Sequence, residues 1–174
     1  MSIESTSIVL AIGTNLGDRA GHLRAGLARL EAAGSIRVVR TSSLYATDPV
    51  DAAGGEFLNA AVAATTDLAP EALLDAVKAA ERAEGRQGTG HDARPLDVDI
   101  VYYGDRVLAG TRLTVPHPRR LARAFVMVPA AEVDGDRLDP EAGCTLREAA
   151  ARLDASGVRK VEGPGWYVGE GVNA

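Results

Sequence analysis

Apolar residues along this chain follow two alternating spacings, which predict strands and helices in turn. Short runs of apolar and β-branched residues predict strands at 7–13, 36–45, 57–66 and 96–103. Two segments between them repeat leucine, valine or alanine every three or four positions, which is typical of amphipathic helices. The first spans 18–33 and is followed by Gly34, and the second begins at Pro70 and ends near Gly85.

The last third of the chain predicts shorter elements. They are a turn at 104–105 leading into 106–108, a helix over 125–133, a helix started by a capping box at Thr145, and a late edge strand at 158–161. The order of strand, helix, two strands, helix and strand predicts an α+β domain of ferredoxin-like type, with a mostly antiparallel sheet and helices on its faces. A doubly wound parallel sheet is the alternative, but segment 13–17 has neither of the glycine patterns that bind phosphates in such folds.

Composition limits the class of protein. The chain has 174 residues, 46% of them hydrophobic and 25% charged, which fits one globular domain with its own core. The single cysteine, Cys144, excludes an internal disulfide, and we expect it to pack near a turn. The apolar runs have the length of strands and the N-terminus shows no secretion signal, so we expect a cytoplasmic protein that does not bind membranes.

Two aspartates interrupt the last predicted strand. Because alternate residues of a strand face the same side, the side chains of Asp97 and Asp99 should lie about 6.6 Å apart on one face, while Val98 and Ile100 fill the core from the other. Carboxylates this close repel each other unless a cation lies between them, and hard Mg²⁺ ions take one or two carboxylates together with phosphate oxygens. Such a pair alone more often lies on a solvated strand face, so other features must decide.

The arginines around the aspartate pair favour a phosphate ligand. Segment 86–123 contains seven arginines, no lysine and four aspartates, a local charge of +3 in a chain of −5. Arginine grips phosphate oxygens through two parallel hydrogen bonds. Nucleic acid is not expected as a partner, because a chain with a pI of about 5.2 lacks the broad basic face that backbone binding needs.

Five short motifs occur in the order and spacing of one enzyme family. They are Gly-Thr-Asn-Leu-Gly-Asp-Arg at 13–19, Phe-Leu-Asn-Ala-Ala-Val at 57–62, Arg-Pro-Leu-Asp-Val-Asp-Ile at 94–100, Arg-Leu-Thr-Val-Pro-His-Pro-Arg at 112–119 and Phe-Val-Met-Val-Pro at 125–129. Each is weak alone, but together, over residues 7–135, the chain resembles 6-hydroxymethyl-7,8-dihydropterin pyrophosphokinase of the folate pathway. The resemblance implies transfer of pyrophosphate from ATP to the hydroxymethyl group of 6-hydroxymethyl-7,8-dihydropterin, with release of AMP.

The resemblance also implies which residues form the site. Two Mg²⁺ ions would be held with ATP by Asp97 and Asp99, and the lid-loop arginines Arg86 and Arg94 would neutralise charge in the transition state. ATP would contact Glu81, Arg112, Thr114, His117 and Arg123, the last two at its phosphates. The pterin would be bound by the rings of Phe57 and Phe125, by the amide of Asn59, and by the backbone segment that includes Thr47, Asp48 and Val50. Two aromatic faces and an amide suit a flat heterocycle rich in hydrogen-bonding groups.

Two departures from the family pattern bear on the rate and the ATP affinity more than on the reaction. The loop 86–94 is shorter than in many members and carries Gly88, Gly90 and His91 where a Trp-Gly-Pro run is common. Lys78 stands where a glutamine commonly contacts the nucleotide. The predicted metal ligands and both flanking arginines are nevertheless present.

We expect a monomer with a single catalytic domain over 1–162 and a loosely held, glycine-rich tail over 163–174. Two other classes of protein remain open. One is a ferredoxin-like module that binds a nucleotide without turning it over. The other is a metal-dependent phosphodiesterase that uses the aspartate pair and needs no pterin.

Overall fold

The computed structural model describes residues 4–48, 55–85 and 95–169. Its helices are α1 (Arg19–Ala32), α2 (Pro70–Ala83), α3 (Ala124–Asp134) and α4 (Leu146–Ala151). Its strands are β1 (Thr6–Thr14), β2 (Ile36–Thr41), β3 (Leu44–Thr47), β4 (Phe57–Thr66), β5 (Asp97–Tyr103), β6 (Leu108–Ala109), β7 (Thr114–Val115) and β8 (Val158–Glu162). A 3₁₀ turn, Arg120–Ala122, leads into α3.

Six of the described strands form one sheet whose neighbours are all antiparallel. Their order is β5-β1-β4-β3-β8, and β2 pairs with the part of β4 that lies beyond β3. Strands β6 and β7 form a separate two-stranded ribbon. The antiparallel pairing confirms the predicted α+β fold, and the doubly wound parallel alternative is wrong.

The strand predicted over 36–45 is in fact two strands in series. Strands β2 and β3 run along the same edge of β4 and are separated by Ser42 and Ser43. The hydroxyl of Ser42 accepts a hydrogen bond from the N–H of Ala61 at 2.9 Å, and the N–H of Ser42 donates to the Ala61 carbonyl at 2.9 Å. Because a side chain here takes the place of a backbone acceptor, the regular ladder is interrupted.

Two helical layers cover the two faces of the sheet. One core lies between the sheet and the pair α1 and α2, and it buries the helix positions predicted to face inward, among them Leu23, Leu27, Leu73 and Val77. The second core lies between the opposite face and the pair α3 and α4, around Met127. A side chain on the sheet therefore belongs to one layer or the other, according to the strand alternation.

Two glutamates shield the edge strands. Glu31 of α1 accepts a hydrogen bond from the N–H of Val38 in β2 at 2.7 Å, and Glu81 of α2 accepts one from the N–H of Val98 in β5 at 3.0 Å. At each edge, a helix side chain thus satisfies a backbone donor that strand pairing leaves open. On β5 this contact falls between Asp97 and Asp99.

The segment after β8 differs from the loosely held tail expected from the sequence. Trp166 and Tyr167 are 5% and 7% exposed and belong to the core under α1 and α2. The indole N–H of Trp166 donates to the carbonyl of Ser42 at 2.8 Å, and the Tyr167 hydroxyl donates to Glu31 at 2.8 Å. The expectation is wrong for residues 163–169, because two aromatic rings anchor a backbone that its glycines suggested was loose. Residues 170–174 lie outside the described part.

Several smaller expectations are confirmed. Thr145 caps α4 by accepting a hydrogen bond from the N–H of Glu148 at 3.2 Å, and β8 pairs with β3 at the sheet edge as predicted for a late strand. Cys144 is 5% exposed and packs in the core beneath α3 and α4, next to the turn at Gly143. Within the described ranges, no helix has the length and apolar character needed to cross a membrane.

Candidate active site

Asp97 and Asp99 lie side by side on the edge strand β5. Both are partly exposed on the sheet face that carries α3, while Val98 and Ile100 are buried in the core under α1 and α2. This is the alternation predicted from the sequence. The strand therefore presents two carboxylates from a rigid element to one open face.

Negative charge is concentrated around Asp99. Partial burial raises its pKa to about 7, helped by the neighbouring charges of Asp97 and Glu81, while Lys78 and Arg123 act in the opposite direction. The two basic groups do not offset the burial and the two carboxylates. A divalent cation at this place would supply the missing positive charge.

Glu81 differs from the other predicted ATP contacts. Its side chain is 2% exposed, Oε1 accepts from the N–H of Val98, and Oε2 lies 3.6 Å from Nζ of Lys78. Glu81 therefore supports β5 at Val98, the residue between the two aspartates. Its contact with ATP stays a prediction.

A single row across three strands connects the aspartates to the predicted pterin residues. Gly13 of β1 is in register with Asp97 on one side and with Asn59 of β4 on the other. Neighbouring strands lie about 4.8 Å apart, so the backbones of Asp97 and Asn59 are about 10 Å apart on the same face. That separation leaves room for the reacting atoms between a phosphate site and a heterocycle site.

Glycine is needed at position 13 because the side chain of Asn59 lies over it. A Cβ added at Gly13 would come 2.5 Å from Oδ1 of Asn59. The other end of the same amide is also held, since Nδ2 donates to the hydroxyl of Thr47 at 2.6 Å. The hydrogen bond to Thr47 therefore orients the Asn59 amide, and the missing side chain at Gly13 leaves room for its Oδ1.

The two predicted aromatic residues border the same face. Phe57 is in register with Thr47 at the start of β4, and Phe125 lies in the first turn of α3, which packs against β4. Both rings are partly exposed, and the guanidinium carbon of Arg123 lies 5.5 Å from the centroid of the Phe125 ring. The sheet beneath them is lined by small side chains in register, such as Ala11 with Ala61. A flat ligand can therefore approach the backbone closely here.

His117 is held next to β5 in one protonation state. Its backbone N–H donates to the carbonyl of Val101 at 2.9 Å, and its ring Nδ1 accepts from the backbone N–H of Arg119 at 3.1 Å. Burial lowers the pKa of His117, and the nearby charges of Arg123, Arg119 and Arg120 lower it further, whereas Asp97 opposes them. The ring is therefore neutral near pH 7 and carries its proton on Nε2, which makes Nε2–H a donor for an anionic oxygen.

The described arginines of segment 86–123 lie in different environments. Arg112, a predicted ATP contact, is exposed and pairs with Asp75 of α2 at 2.5 Å. Arg120 is buried against Asp139. Arg123 lies near Asp99 and His117, as its effect on their pKa values indicates. Arg120, which is not among the predicted site residues, thus serves a buried ion pair, and the contact of Arg112 with ATP stays a prediction.

The remaining predicted residues divide into described and undescribed positions. Thr114 is exposed on β7, Thr47 is buried beside Asn59, and Asp48 is exposed at the end of β3. Arg86, Arg94 and Val50 lie outside the described residues. Departures from the family pattern at Gly88, Gly90 and His91 lie outside them as well.

Sequence reasoning missed two features of the site. Gly13 leaves space for the Asn59 side chain, and recognising this requires the register of β1 against β4. The Gly13-Thr14-Asn15 motif marked only the position. The buried pair of Arg120 and Asp139 joins residues 19 positions apart, and no local pattern signals it. Both depend on contacts between segments that the sequence does not pair.

The aspartate pair fits magnesium with a nucleotide. In the ranges 4–48, 55–85 and 95–169, no three or more His, Cys, Asp or Glu side chains converge as a group able to hold a metal ion. Magnesium commonly takes one or two carboxylates and completes its octahedron with phosphate oxygens and water. Two carboxylates on one strand face, with the pKa of Asp99 raised by burial and by the charges of Asp97 and Glu81, match that donor set.

Comparisons with known proteins identify the family of this chain. Residues 9–135 match the family model described as 7,8-dihydro-6-hydroxymethylpterin-pyrophosphokinase. The chain is 40% identical over 159 residues to the 2-amino-4-hydroxy-6-hydroxymethyldihydropteridine pyrophosphokinase of Methylorubrum extorquens, which covers 90% of this chain and 99% of that protein. It is 36% identical over 158 residues to the protein of the same name from Pseudomonas aeruginosa, covering 90% and 97% of the two chains.

The fold also matches a solved structure. A crystal structure of Plasmodium falciparum HPPK-DHPS superimposes with a TM-score of 0.69 at 13% sequence identity, which shows a shared fold. The match covers 86% of this chain and 45% of that one, so this chain spans less than half the length of that protein. The family match extends over most of this chain, and two relatives are covered almost from end to end. This chain therefore belongs to the 7,8-dihydro-6-hydroxymethylpterin-pyrophosphokinase family.

Proposed function

We propose that this enzyme transfers pyrophosphate from ATP to the hydroxymethyl group of 6-hydroxymethyl-7,8-dihydropterin and releases AMP, a step of folate biosynthesis. The observation that carries the proposal is the row of Asp97, Gly13 and Asn59, which brings a carboxylate pair and the amide of Asn59 onto one sheet face. In the reaction, the hydroxymethyl oxygen forms a bond to the β-phosphorus of ATP. The bond from that phosphorus to the oxygen bridging the α-phosphate breaks, and AMP leaves with this oxygen.

The aspartate pair is the proposed magnesium site. Asp97 and Asp99 would hold two Mg²⁺ ions, which supply Lewis acidity and charge neutralisation on the phosphate oxygens. Glu81 keeps the strand that carries both ligands in place through the N–H of Val98. Rigid ligands of this kind favour a geometry that is already set before ATP binds.

Positive groups complete the phosphate site. His117 would donate Nε2–H to a phosphate oxygen, and Arg123, whose charge acts on Asp99 and whose guanidinium lies over the Phe125 ring, would neutralise charge. Arg86 and Arg94 would act in the transition state, as the family resemblance implies. Glu81, Arg112 and Thr114 would contact the nucleotide farther from the reacting phosphorus.

The pterin would lie over the small residues of β1 and β4. Phe57 and Phe125 would contact the two faces of the ring, and the fixed amide of Asn59 would pair with its polar edge. Because Nδ2 of Asn59 already donates to Thr47, Oδ1 is the end that offers an acceptor to the ligand. The backbone at Thr47, Asp48 and Val50 would add further hydrogen bonds.

One chain supplies the described residues of the proposed site. The aspartates, Asn59 and both phenylalanines belong to one sheet and the helix packed on it, which supports catalysis by a single copy. We therefore infer a monomer with a single catalytic domain over 1–162. We also infer a cytoplasmic location, where MgATP is available.

A single mixing experiment tests the function against its two rivals. The enzyme is incubated with ATP and Mg²⁺, with and without 6-hydroxymethyl-7,8-dihydropterin, and the nucleotide products are separated. We expect AMP only when the pterin is present, in equal amount to the modified pterin. No turnover would indicate a binding module, and hydrolysis of a phosphodiester substrate without pterin would indicate a phosphodiesterase.

A further inference from the structure

Arg120 is a buried cation that joins two separate parts of the fold. Its side chain is 4% exposed, and it forms a bidentate pair with Asp139, from Nε to Oδ2 at 2.6 Å and from Nη2 to Oδ1 at 2.7 Å. The remaining terminal nitrogen, Nη1, donates to the carbonyl of His117 at 3.0 Å. The guanidinium thus connects a carboxylate after α3 to the backbone of the proposed phosphate-binding histidine.

Asp139, which holds this guanidinium, is itself fixed by further hydrogen bonds. It is fully buried, and it accepts further hydrogen bonds from the hydroxyl of Tyr102 at 2.6 Å and from the N–H groups of Glu141 and Ala142 at 2.9 and 2.8 Å. Burial alone would raise the pKa of Asp139, but the hydrogen bonds from Arg120, Tyr102 and the backbone hold it well below its usual range. The carboxylate therefore stays charged and keeps the guanidinium in one orientation.

A bulge in β5 directs the side chain of Tyr102 toward Asp139. Val9 is in register with Tyr102 and Leu10 with Ile100, so Val101 is an extra residue in β5. Tyr102 consequently faces the same core as α3 and reaches Asp139. The carbonyl of Val101 accepts the N–H of His117 at 2.9 Å. The backbone of His117 is therefore held at its N–H by β5, and its carbonyl accepts from both the backbone N–H of Arg120 at 3.2 Å and the Arg120 guanidinium at 3.0 Å.

We propose that Arg120, anchored by Asp139, is a positioning residue that holds His117 in place for the phosphates of ATP. The inference rests on the proposed function, because it requires His117 to contact ATP. The competing explanation is that this buried ion pair serves stability alone. The positioning and the stability explanations predict changes in different kinetic constants when the hydrogen bond from the Arg120 side chain to the His117 carbonyl is lost.

Arg120→Lys and Tyr102→Phe form a matched pair of variants. Arg120→Lys keeps a positive charge beside Asp139, but one ammonium group cannot hold the carboxylate in a fork and reach the His117 carbonyl as well. Tyr102→Phe removes one hydrogen bond from the same buried carboxylate and leaves the link to His117 intact. We expect Arg120→Lys to raise KM for MgATP by about 10-fold or more with the pterin Kd within about two-fold, and Tyr102→Phe to change neither by more than about two-fold.

A double-mutant cycle with His117→Ala shows whether Arg120 acts through His117. We expect Arg120→Lys to add less than about two-fold to KM for MgATP when His117 is already alanine. If Arg120→Lys does not fold, Arg120→Met combined with Asp139→Asn removes both charges together and is compared in the same way.

Each outcome of these measurements decides the inference. It is supported if KM for MgATP rises in Arg120→Lys alone and the cycle is non-additive. It is overturned if Tyr102→Phe raises KM equally, if the two substitutions multiply independently, or if Arg120→Lys behaves as wild type while His117→Ala is impaired. A wild-type KM in His117→Ala would overturn this inference together with the phosphate role of His117, while AMP formation would still test the proposed reaction.

Discussion

Replacing Asp99 by asparagine should stabilise the metal-free protein and nearly abolish its activity. The folded state holds the pKa of Asp99 at about 7, against 3.8 for an ordinary aspartate. Asparagine has nearly the same shape and never ionises, so it removes the charge that Asp97 and Glu81 repel. The same change removes a proposed ligand of magnesium.

The pH dependence of this stabilisation follows from the direction of the pKa shift. Below about pH 4 the carboxyl is protonated in both states, so it does not affect the difference between wild type and variant. Between about pH 4 and 7 the unfolded chain loses the proton while the folded protein keeps it, so wild-type stability falls as the pH rises. Above about pH 7 both states are ionised and the loss is complete.

The magnitude can be bounded from the pKa of Asp99. A shift of about three pH units corresponds to about 4 kcal/mol. Because Asp99 is partly exposed and solvent screens its charge, we expect about 1–2 kcal/mol, or roughly 3–6 °C in Tm, above pH 7. Asp105→Asn, at an exposed aspartate in the turn after β5, is the matched control.

Thermal unfolding in EDTA between pH 4 and 8, with and without added MgATP, measures the effect. We expect the advantage of Asp99→Asn to grow with pH and MgATP to stabilise the wild type far more than the variant. An Asp99→Asn variant that is less stable than wild type at pH 8 in EDTA would refute the electrostatic reasoning. Near wild-type turnover at saturating Mg²⁺ would refute the metal assignment.

Two further substitutions test the pterin side of the site. Gly13→Ala should displace the Asn59 amide and weaken pterin binding by about 10-fold or more with little change in MgATP binding, whereas Gly157→Ala, where an added Cβ meets no atom within 4 Å, should change neither in calorimetry. Phe57→Ala and Phe125→Ala should each weaken pterin binding by about 1–3 kcal/mol and leave MgATP binding nearly unchanged. Equal losses for the two ligands would show that these rings serve the core.

Most of the fold could be predicted because its elements carry local signals. Strand β4 has the bounds predicted from its apolar run, and α2 starts at Pro70 as expected for a proline in a first helical turn. The aspartate pair was also visible, since two carboxylates at alternate positions stand out among strand-forming residues. Local propensity and burial agree at these positions.

The missed features arise from contacts between distant segments. The break between β2 and β3 depends on the Ser42 hydroxyl meeting the N–H of Ala61, and the position of the last segment depends on Trp166 reaching the carbonyl of Ser42. The sequence does not distinguish Arg120 from the neighbouring arginines, because its partner Asp139 lies 19 positions away. A side chain that satisfies a remote backbone or charged group leaves no periodic trace in the sequence.

Following the fate of each ATP phosphate tests the proposed reaction most directly. ATP labelled separately at the α-, β- or γ-phosphate is incubated with the enzyme, Mg²⁺ and 6-hydroxymethyl-7,8-dihydropterin, and the label is traced in each product. We expect the β and γ labels together on the pterin and the α label in AMP. Transfer of the γ label alone with formation of ADP, or release of AMP with no label on the pterin, would contradict pyrophosphate transfer at this site.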